Sequence, residues 1–229
     1  MDSIKERLAE VRRRMAEAAL RAGRPPDSVQ LVAVSKTVEV ERIREGIEAG
    51  IQILGENLVQ EAEGKIAALG RPVAWHLVGH LQTNKAKLAV SLFYLIHSLD
   101  SLHLAEALER HAGMQGKVMP VLIEVNLAQE ETKTGISPEE LPGLLRSVSS
   151  LPHLQVQGLM AIPPFCEEAE EVRPCFRRLR GLAEEISALR IPNIEMKHLS
   201  MGMSHDFEIA IEEGATLVRV GSAIFGPRS

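Results

Sequence analysis

The sequence predicts a single α/β domain folded as a (β/α)8 barrel of the TIM type, with an extra helix at the N-terminus. Eight short apolar runs rich in β-branched residues alternate with helical segments along the chain. Strict alternation predicts a parallel sheet, either open and doubly wound or closed into a barrel. The count of eight favours closure. No GxGxxG motif follows the first run, so the open nucleotide-binding sheet lacks its usual sequence mark.

The first element is a helix whose two ends are both visible in the sequence. Ser3 and Glu6 form a capping-box pattern at its start, and Gly23 precedes two prolines at its end. Apolar side chains recur between them at helical spacing, at Ile4, Leu8, Val11 and Met15. We predict that this helix, within residues 1–23, packs on the barrel.

The eight apolar runs follow in order. The first of them has no alternation of apolar and polar residues, which is typical of a strand covered on both faces. The predicted strands are Leu31–Lys36, Ile51–Leu54, Val73–Val78, Phe93–His97, Val121–Asn126, Val156–Met160, Glu195–Leu199 and Thr216–Val220.

The connections between these strands carry helix signals of their own. Ser137 followed by Pro138 and Glu140 predicts a helix start. Two apolar stripes predict the buried faces of helices, namely Val40, Ile43 and Ile47, and Phe176, Leu179, Leu182, Ile186 and Leu189. The proline- and glutamate-rich stretch from Pro163 to Glu171 reads as a solvated loop. With no linker in sight, residues 1–229 are predicted to form one domain.

The composition excludes several classes of function. The chain has 26 Lys and Arg against 31 Asp and Glu, and only 3% aromatic residues, which disfavours nucleic acid as a partner. No apolar run reaches the roughly 18 to 20 residues of a membrane span, and no signal peptide is recognisable. Cys166 and Cys175 fit neither a disulfide framework nor a zinc pattern. We expect a cytoplasmic, monomeric protein with no metal site.

The residues after each predicted strand are unusually polar, and in a barrel these positions meet at one mouth. Lys36 ends the first strand, where a fixed ammonium group usually meets an anion or reacts as an amine. A snorkelling lysine is the alternative reading. The other polar groups at strand ends are Gly55-Glu56-Asn57, His76 to His80 with Asn84 and Lys85, Ser200 to Ser204, and Arg219 with Gly221 to Gly226.

The segments after the seventh and eighth strands suit a phosphate group. Their glycines permit close backbone approach, and their serines add hydroxyl donors. Pro227 and Arg228 stand where a P-loop needs Lys and Ser or Thr, so a P-loop is excluded. A lysine amine facing a phosphate site suggests a phosphorylated aldehyde held as a Schiff base, most commonly pyridoxal 5′-phosphate (PLP). An isomerase or aldolase that binds phosphate would share these features.

A set of longer motifs then makes a family resemblance specific. They are Val34-Ser35-Lys36-Thr37, Gly55-Glu56-Asn57 with Val59-Gln60-Glu61, Trp75-His76 with Gly79, Leu81-Gln82 and Asn84-Lys85, Lys133 with Gly135-Ile136, Gly158 to Pro163, Leu199 to Ser204 with Asp206, and Val218-Arg219 with Gly221 and Ala223 to Gly226. In order and spacing, from about residue 31 to residue 228, they resemble the pyridoxal phosphate homeostasis protein family. These proteins are single-domain relatives of the alanine racemase barrel domain.

The resemblance implies a barrel that binds PLP, with Lys36 as the amine of the Schiff base. It implies roles for further residues: phosphate contacts from Ser200, Ser204, Gly221 and Ser222, Asn57 beside the ring, Arg219 at the pyridine nitrogen, and cofactor contacts from His76, Met160 and Met201. Family members more often carry Thr at the position of Ser222, and both residues supply a hydroxyl. The family's role is to bind, buffer or deliver PLP, with apo-enzymes as possible acceptors.

Other readings of single residues stay open. His76 and His80 have the i,i+4 spacing of zinc ligands, but Leu77 replaces the glutamate of HExxH and Gly79 argues against a helix. His198 and His205 flank the phosphate segment and are read as structural histidines, with hydrogen bonds to the phosphate as the alternative. Lys133 is read as a loop lysine, with a second docking point for the aldehyde as the alternative.

Arg219 and Tyr94 bear on whether the chain is an enzyme. A guanidinium group only donates hydrogen bonds, so a pyridine nitrogen facing Arg219 stays unprotonated and the ring is a weaker electron sink. Racemisation also needs a second base, which in related racemases is a tyrosine from the partner subunit. Tyr94 is the only tyrosine and is predicted to be a core residue.

Three hypotheses follow. The first is a PLP carrier and regulator that forms a Schiff base on Lys36. The second is a PLP-dependent amino-acid racemase of weak activity, which requires exchange of the α-proton. The third is an interaction protein whose cofactor is vestigial, in which case losing the cofactor leaves vitamin and amino-acid pools unchanged.

Overall fold

The computed structural model describes residues 3–127, 134–164 and 166–226, and within them eight parallel strands close into a barrel. The strands are β1 Gln30–Val34, β2 Ile53–Glu56, β3 Ala74–Leu77, β4 Leu95–Leu99, β5 Met119–Glu124, β6 Leu154–Met160, β7 Ile194–Ser200 and β8 Leu217–Val220. The helices are α1 Ile4–Arg21, α2 Val40–Glu48, α3 Val59–Leu69, α4 Ala86–Leu92, α5 Leu102–Met114, α6 Leu141–Val148, α7 Arg173–Ala188, α8 Phe207–Glu212 and α9 Ser222–Phe225.

The barrel closes where the first strand meets the last. Strands β1 and β8 run parallel, with Gln30 opposite Leu217 and Ala33 opposite Val220. Each remaining strand pairs with its neighbours in chain order. The predicted (β/α)8 barrel with an extra N-terminal helix is therefore confirmed. All eight predicted strands overlap the observed ones.

The first strand is shorter at its carboxyl end than the sequence predicts. It stops at Val34, and Lys36 lies in the turn that follows. The backbone leaves the extended conformation there, because Thr37 has a φ of 61°. Lys36 is thus held by a turn at the barrel mouth.

The helix signals are correct in kind and less exact in position. Ser3 and Glu6 form the predicted capping box of α1. Ser137 and Glu140 also contact each other, with Ser137 Oγ 2.7 Å from Glu140 Oε2, but the regular helix α6 begins only at Leu141. In α7 the predicted stripe is buried except for Leu189, which lies past the helix end and is 49% exposed.

Two layers of apolar side chains form the core. The larger one fills the space between the barrel and its helices, including the buried face of α1. The smaller one lies inside the barrel and consists of Val32, Val78, Leu95, Leu122, Met160 and Leu217. Residues at alternate positions of each strand face the same side, so these six define which positions point into the lumen.

Two further observations bear on the sequence analysis. Tyr94 is not a core residue, because it precedes β4 and is 66% exposed, so that prediction is wrong. Its ring stacks on His76 with centroids 5.9 Å apart. In the part of the chain that the structure describes, no helix is both long and apolar enough to cross a membrane.

Candidate functional site

Lys36 lies at the barrel mouth, two residues beyond the end of β1. Val32 belongs to the lumen cluster and Val34 packs against it, and the turn that holds Lys36 follows at the carboxyl end of this strand, where the mouth lies. The side chain is half-buried. The sequence signal that marked this residue, a lysine closing a buried run, therefore corresponds to a lysine held where barrel enzymes place their reactive groups.

Behind Lys36 lies a buried polar group that we call the Lys65 cluster, made of Ser35, Glu56, Glu61 and Lys65. The Lys65 Nζ atom donates to the Ser35 carbonyl at 2.5 Å and to Oε1 of Glu56 and of Glu61, each at 2.7 Å. The Ser35 hydroxyl donates to Glu56 Oε1 at 2.6 Å. Glu56 and Ser35 are fully buried, and Lys65 is nearly so. The cluster fixes the backbone from which Lys36 projects.

The two carboxyl groups of this cluster differ in their electrostatics. Burial raises the pKa of Glu56, and this effect outweighs the opposing hydrogen bonds from Lys65 and Ser35. Glu61 is also partly buried, which raises its pKa. However, hydrogen bonds from Lys65 and the Thr37 amide, together with the charges of Lys65 and Lys36, lower it overall. Glu61 thus feels the positive charge of Lys36 directly.

The predicted phosphate residues form a compact group at the ends of β7 and β8. The Ser204 hydroxyl accepts from the Gly221 amide at 3.3 Å, with a longer contact of 3.5 Å from the Ala223 amide. A Cβ atom on Gly221 would lie 3.1 Å from the Val34 carbonyl oxygen. Ser222, which begins α9, is exposed beside them. The backbone amides here are the kind of donors that hold a phosphate oxygen.

Arg219 is buried in the lumen directly below this group. Its Nη1 donates to the Ser200 carbonyl at 2.8 Å and to the Ser200 hydroxyl at 2.6 Å, and its Nη2 donates to the Ala161 carbonyl at 2.9 Å. Burial lowers the pKa of Arg219 to about 10, so the guanidinium still carries its charge at neutral pH. Because the Ser200 hydroxyl is engaged by Arg219, its role as a phosphate ligand stays a prediction.

A chain of histidines continues from Ser200 toward the opposite wall of the lumen. His97 Nδ1 lies 2.9 Å from Ser200 Oγ, and His97 Nε2 lies 3.0 Å from His76 Nδ1. Burial is the main cause that lowers the pKa of both, to about 3 for His76 and well below the usual value for His97. Both rings are therefore neutral at physiological pH. We call the series of Ser200, His97 and His76 the lumen chain.

Two of the predicted cofactor contacts, His76 and Met160, lie in the barrel lumen. His76 reaches the guanidinium of Arg219 only through His97 and Ser200. Its Nε2 atom is buried and has no hydrogen-bond partner among the described residues. Met160 is fully buried in the lumen cluster. Met201 instead packs in the outer core between barrel and helices. Its contact with the cofactor stays a prediction, and only the Met201 backbone is placed to make it.

Asn57 borders a separate cavity beside the mouth. The cavity measures about 320 Å³ and its lining includes Gly79, His80 and Lys85. A Cβ atom on Gly79 would lie 2.4 Å from the Asn57 carbonyl oxygen, so glycine is required for this close approach. The His80 ring does not join His76. Its Nδ1 instead lies 3.4 Å from Asp100 Oδ2.

Two other histidines named from the sequence have ordinary neighbours. His198 Nδ1 lies 3.3 Å from the Thr216 hydroxyl, and His205 Nε2 lies 3.0 Å from the Glu167 carbonyl. Lys133 lies outside the described residues. Across the described ranges, no group of three or more His, Cys, Asp or Glu side chains is arranged to hold a metal ion.

Sequence reasoning missed three residues that the structure brings to the site, Lys65, His97 and Glu124, and it gave no individual role to Glu56. Glu124 ends β5 at the mouth, where burial raises its pKa and Thr134 Oγ1 donates to its Oε1 at 2.7 Å. The sequence signal for Lys65 was its i,i+4 spacing from Glu61, the last residue of the Val59-Gln60-Glu61 motif. That spacing is too common on exposed helices to identify a buried cluster.

Comparison with known proteins agrees with this geometry. The family model described as "Alanine racemase, N-terminal domain" matches residues 4–229. A protein of Aquifex aeolicus named "Pyridoxal phosphate homeostasis protein" is 49% identical over 224 residues, covering 97% of each chain. A protein of the same name from Pseudomonas aeruginosa is 43% identical and covers 100% of this chain and 97% of its own.

A solved structure provides a third comparison. PipY from Synechococcus elongatus PCC7942, determined with PLP bound, superposes with a TM-score of 0.85 at 42% sequence identity. The match covers 98% of this chain and 100% of PipY. The likeness therefore extends over the whole barrel.

Proposed function

We propose a function that starts from the chain's family: it belongs to the alanine racemase N-terminal domain family, whose model spans residues 4–229. The protein binds PLP, holds it as a Schiff base on Lys36, and acts in intracellular PLP homeostasis as a carrier, buffer or regulator. Support comes from relatives named pyridoxal phosphate homeostasis proteins and from PipY, whose structure contains PLP. The expected cytoplasmic location is part of this proposal.

One observation carries the proposal most strongly. The Gly221 backbone approaches the Val34 carbonyl so closely that a Cβ atom there would lie 3.1 Å from its oxygen. Val34 lies two residues before Lys36, and the Gly221 amide contacts Ser204. An amine and a group of phosphate donors thus stand at adjoining strand ends. A ligand with an aldehyde and a phosphate on one small ring matches both groups.

The polar groups of the described residues suit this ligand. Lys36 supplies the amine, while the amides of Gly221 and Ala223 and the Ser204 hydroxyl supply phosphate donors. Arg219 supplies a charged donor that cannot accept a proton from the ring nitrogen. When bound, PLP would supply an electron-withdrawing ring that stabilises a carbanion next to an amino group.

The same donor set favours binding over catalysis. Arg219 is anchored by three hydrogen bonds to Ser200 and Ala161, so it holds one position and keeps an opposed ring nitrogen unprotonated. Tyr94, the only tyrosine, is exposed and stacks on His76, and it is not placed as a second base in the mouth. We therefore favour a carrier that passes PLP to apo-enzymes over an amino-acid racemase of weak activity.

The test is the visible spectrum of the purified protein before and after borohydride reduction. A Schiff base absorbs in the visible, and reduction fixes the cofactor on the lysine that holds it. We expect one labelled peptide, which contains Lys36, and no label in the Lys36→Ala variant.

Lys85→Ala provides the matched control. This lysine also lies near the mouth, in the lining of the cavity beside Asn57, and its loss should leave the label unchanged. Label on Lys85 or Lys133 in the wild-type protein, or no label at all, would contradict the proposal.

A further inference from the structure

We propose that Lys65 is a positioning residue for Lys36, acting through the peptide groups on either side of it. This inference rests on the proposed Schiff base on Lys36. It assigns a role to the Lys65 cluster, which lies behind the strand and does not face the barrel mouth.

The upstream contact holds the peptide bond that enters Lys36. The Lys65 Nζ atom donates at 2.5 Å to the carbonyl oxygen of Ser35. The preceding peptide group, between Val34 and Ser35, is held as well, because the Ser35 amide donates to the Gly55 carbonyl at 2.9 Å. The Ser35 hydroxyl adds a third contact, to Glu56. The residue before Lys36 is therefore fixed at its amide, its carbonyl and its side chain.

The downstream contact holds the peptide bond that leaves Lys36. The Thr37 amide donates at 2.6 Å to Oε1 of Glu61, the same oxygen that accepts from Lys65 at 2.7 Å. Thr37 has a φ of 61°, a conformation that is rare for a β-branched residue. Strain of this kind persists only where surrounding contacts impose it, and it is concentrated at functional sites. Lys65 thus links both ends of the Lys36 turn.

The burial of the cluster argues against a role in stability alone. The Lys65 side chain is 8% exposed and that of Glu56 is fully buried. Removing such charges from water costs several kcal/mol, and buried ion pairs often add no net stability over apolar residues of similar size. The contacts nevertheless converge on one turn. The residue in that turn is the one whose amine must reach the aldehyde.

Precise placement matters for the covalent step. The Lys36 Nζ attacks the aldehyde carbon, a C=N bond replaces the C=O bond, and the aldehyde oxygen leaves as water. The phosphate donors at β8 fix the other end of the ligand, so Lys36 must meet the aldehyde at a set distance. A misplacement of about 1 Å costs on the order of 10²-fold in such intramolecular reactions.

The experiment compares two ligands that differ only at the reacting carbon. Pyridoxine 5′-phosphate has an alcohol in place of the aldehyde, so it uses the phosphate and ring contacts but forms no Schiff base. We expect Lys65→Met to weaken PLP binding about tenfold or more and to change pyridoxine 5′-phosphate binding less than about twofold. In a Lys36→Ala background, Lys65→Met should cause no further loss of PLP affinity.

Two further variants keep the test decisive. Glu61→Ala removes the acceptor of the Thr37 amide but leaves the buried Lys65 and Glu56 pair intact, so it reports on the turn if Lys65→Met does not fold. Lys117→Met is the matched control, because Lys117, although only half-buried, is another lysine that donates to a backbone carbonyl, that of Val90, far from the mouth. It should bind both ligands as the wild type does.

The outcomes separate this inference from the proposed function. Equal weakening of both ligands by Lys65→Met or Glu61→Ala means a general structural role and overturns the inference, while Lys36 remains the site of attachment. Unchanged PLP binding in both variants overturns it equally. A wild-type protein that binds the two ligands alike and gives no borohydride label on Lys36 instead contradicts the proposed function itself.

Discussion

At the scale of single residues, the site depends on positions where a slightly larger group would not fit. Gly221 is the clearest case, because its backbone lies against Val34 and its amide contacts Ser204. Gly79 shows the same constraint against Asn57. Close contact between the backbones of Gly221 and Val34 therefore brings the predicted phosphate donors next to the turn that holds Lys36.

We predict that Gly221→Val releases PLP. A valine side chain would push β8 away from Val34 and disturb the amide donors, and each charge-assisted hydrogen bond to phosphate is worth roughly 1.5 to 3 kcal/mol. Loss of two such bonds corresponds to a drop in affinity of roughly 10²-fold or more. PLP retained after dialysis measures the effect, with His80→Ala as the control. Equal retention in the two variants would count against the assigned phosphate site.

The lumen chain predicts how stability depends on pH. The pKa of His76 is about 3 in the fold, against an ordinary value of 6.5, so the unfolded chain binds a proton that the folded chain excludes. This contribution to stability is complete above about pH 6.5 and is lost as the pH falls toward 3. One such histidine changes the free energy of unfolding by about 1.4 kcal/mol per pH unit within that window.

We therefore expect His76→Gln to flatten the loss of stability on acidification. Urea unfolding between about pH 7 and pH 5 measures the slope in each protein. The buried acids Glu56, Glu124 and Asp206, whose pKa values burial raises, act in the opposite direction but are common to both proteins. His103→Gln, at an exposed position of α5, is the control. Parallel slopes for wild type and His76→Gln would refute a neutral buried histidine.

The sequence draws attention to candidate residues next to strand ends and misses residues whose surroundings are made by contacts between separate elements. Lys36, Ser204 and Gly221 stand next to strand ends, and a strand end can be read from a short run of residues. Lys65 lies on a helix, where a lysine is ordinarily solvated. Its burial depends on Glu56 from a neighbouring strand, and no local pattern reports that contact.

At the scale of elements, the barrel shows where one strand passes very close to another. Gly158 in β6 has a φ of 149°, and a Cβ atom there would lie 1.9 Å from the His198 carbonyl of β7. The register between β6 and β7 shifts next to this residue, between Val156 and Gly158. A glycine in a strand often marks such a close backbone approach.

We predict that Gly158→Ala destabilises the protein strongly, while Gly143→Ala does not. The alanine at 158 would clash with backbone that has no room to move, and a cost of several kcal/mol is expected. Gly143 lies on the exposed side of α6 with no atom near its missing Cβ, and alanine there should stabilise the helix by about 0.5 to 1 kcal/mol. Thermal melting of the two variants measures both effects. Similar melting temperatures would contradict the close approach.

Element boundaries were predicted less well than the elements themselves, for physical reasons. Ser137 and Glu140 make their capping contacts, yet regular helix starts only at Leu141 because the intervening residues form turns. The predicted strand Phe93–His97 includes Tyr94, and aromatic residues favour strands. The observed strand starts at Leu95, and the Tyr94 ring lies on the surface.

At the scale of the whole molecule, the described strands close into one barrel, and Lys36, Ser204 and Gly221 lie together at one mouth of it. The related racemases draw their second base from a partner subunit, whereas this chain is expected to be a monomer. In the proposed arrangement, Arg219 at the pyridine nitrogen would further weaken the ring as an electron sink. Binding of an amino acid without rapid proton removal is the expected behaviour.

We predict very slow exchange of the α-proton of L-alanine in deuterated water with the PLP-loaded protein. General bases contribute about 10²- to 10⁴-fold each, so the absence of one keeps exchange far below that of a racemase. Arg219→Glu, which lets the ring nitrogen hold a proton, should raise the rate if Arg219 is the main limit. Exchange at enzyme-like rates in the wild type would favour the racemase. If both proteins are inert, the second base is the stronger limit.

The pairing of β1 with β8 also has a consequence for synthesis of the chain. Lys36 and Gly221 lie 185 positions apart, so a ribosome making about 5 to 20 residues per second synthesises Lys36 roughly 10 to 40 s before the predicted phosphate donors exist. Until β8 is added, the sheet also has two open edges, at β1 and β7. Under the proposed function, stable capture of the cofactor therefore requires that β8 has been made and the ring of strands has closed.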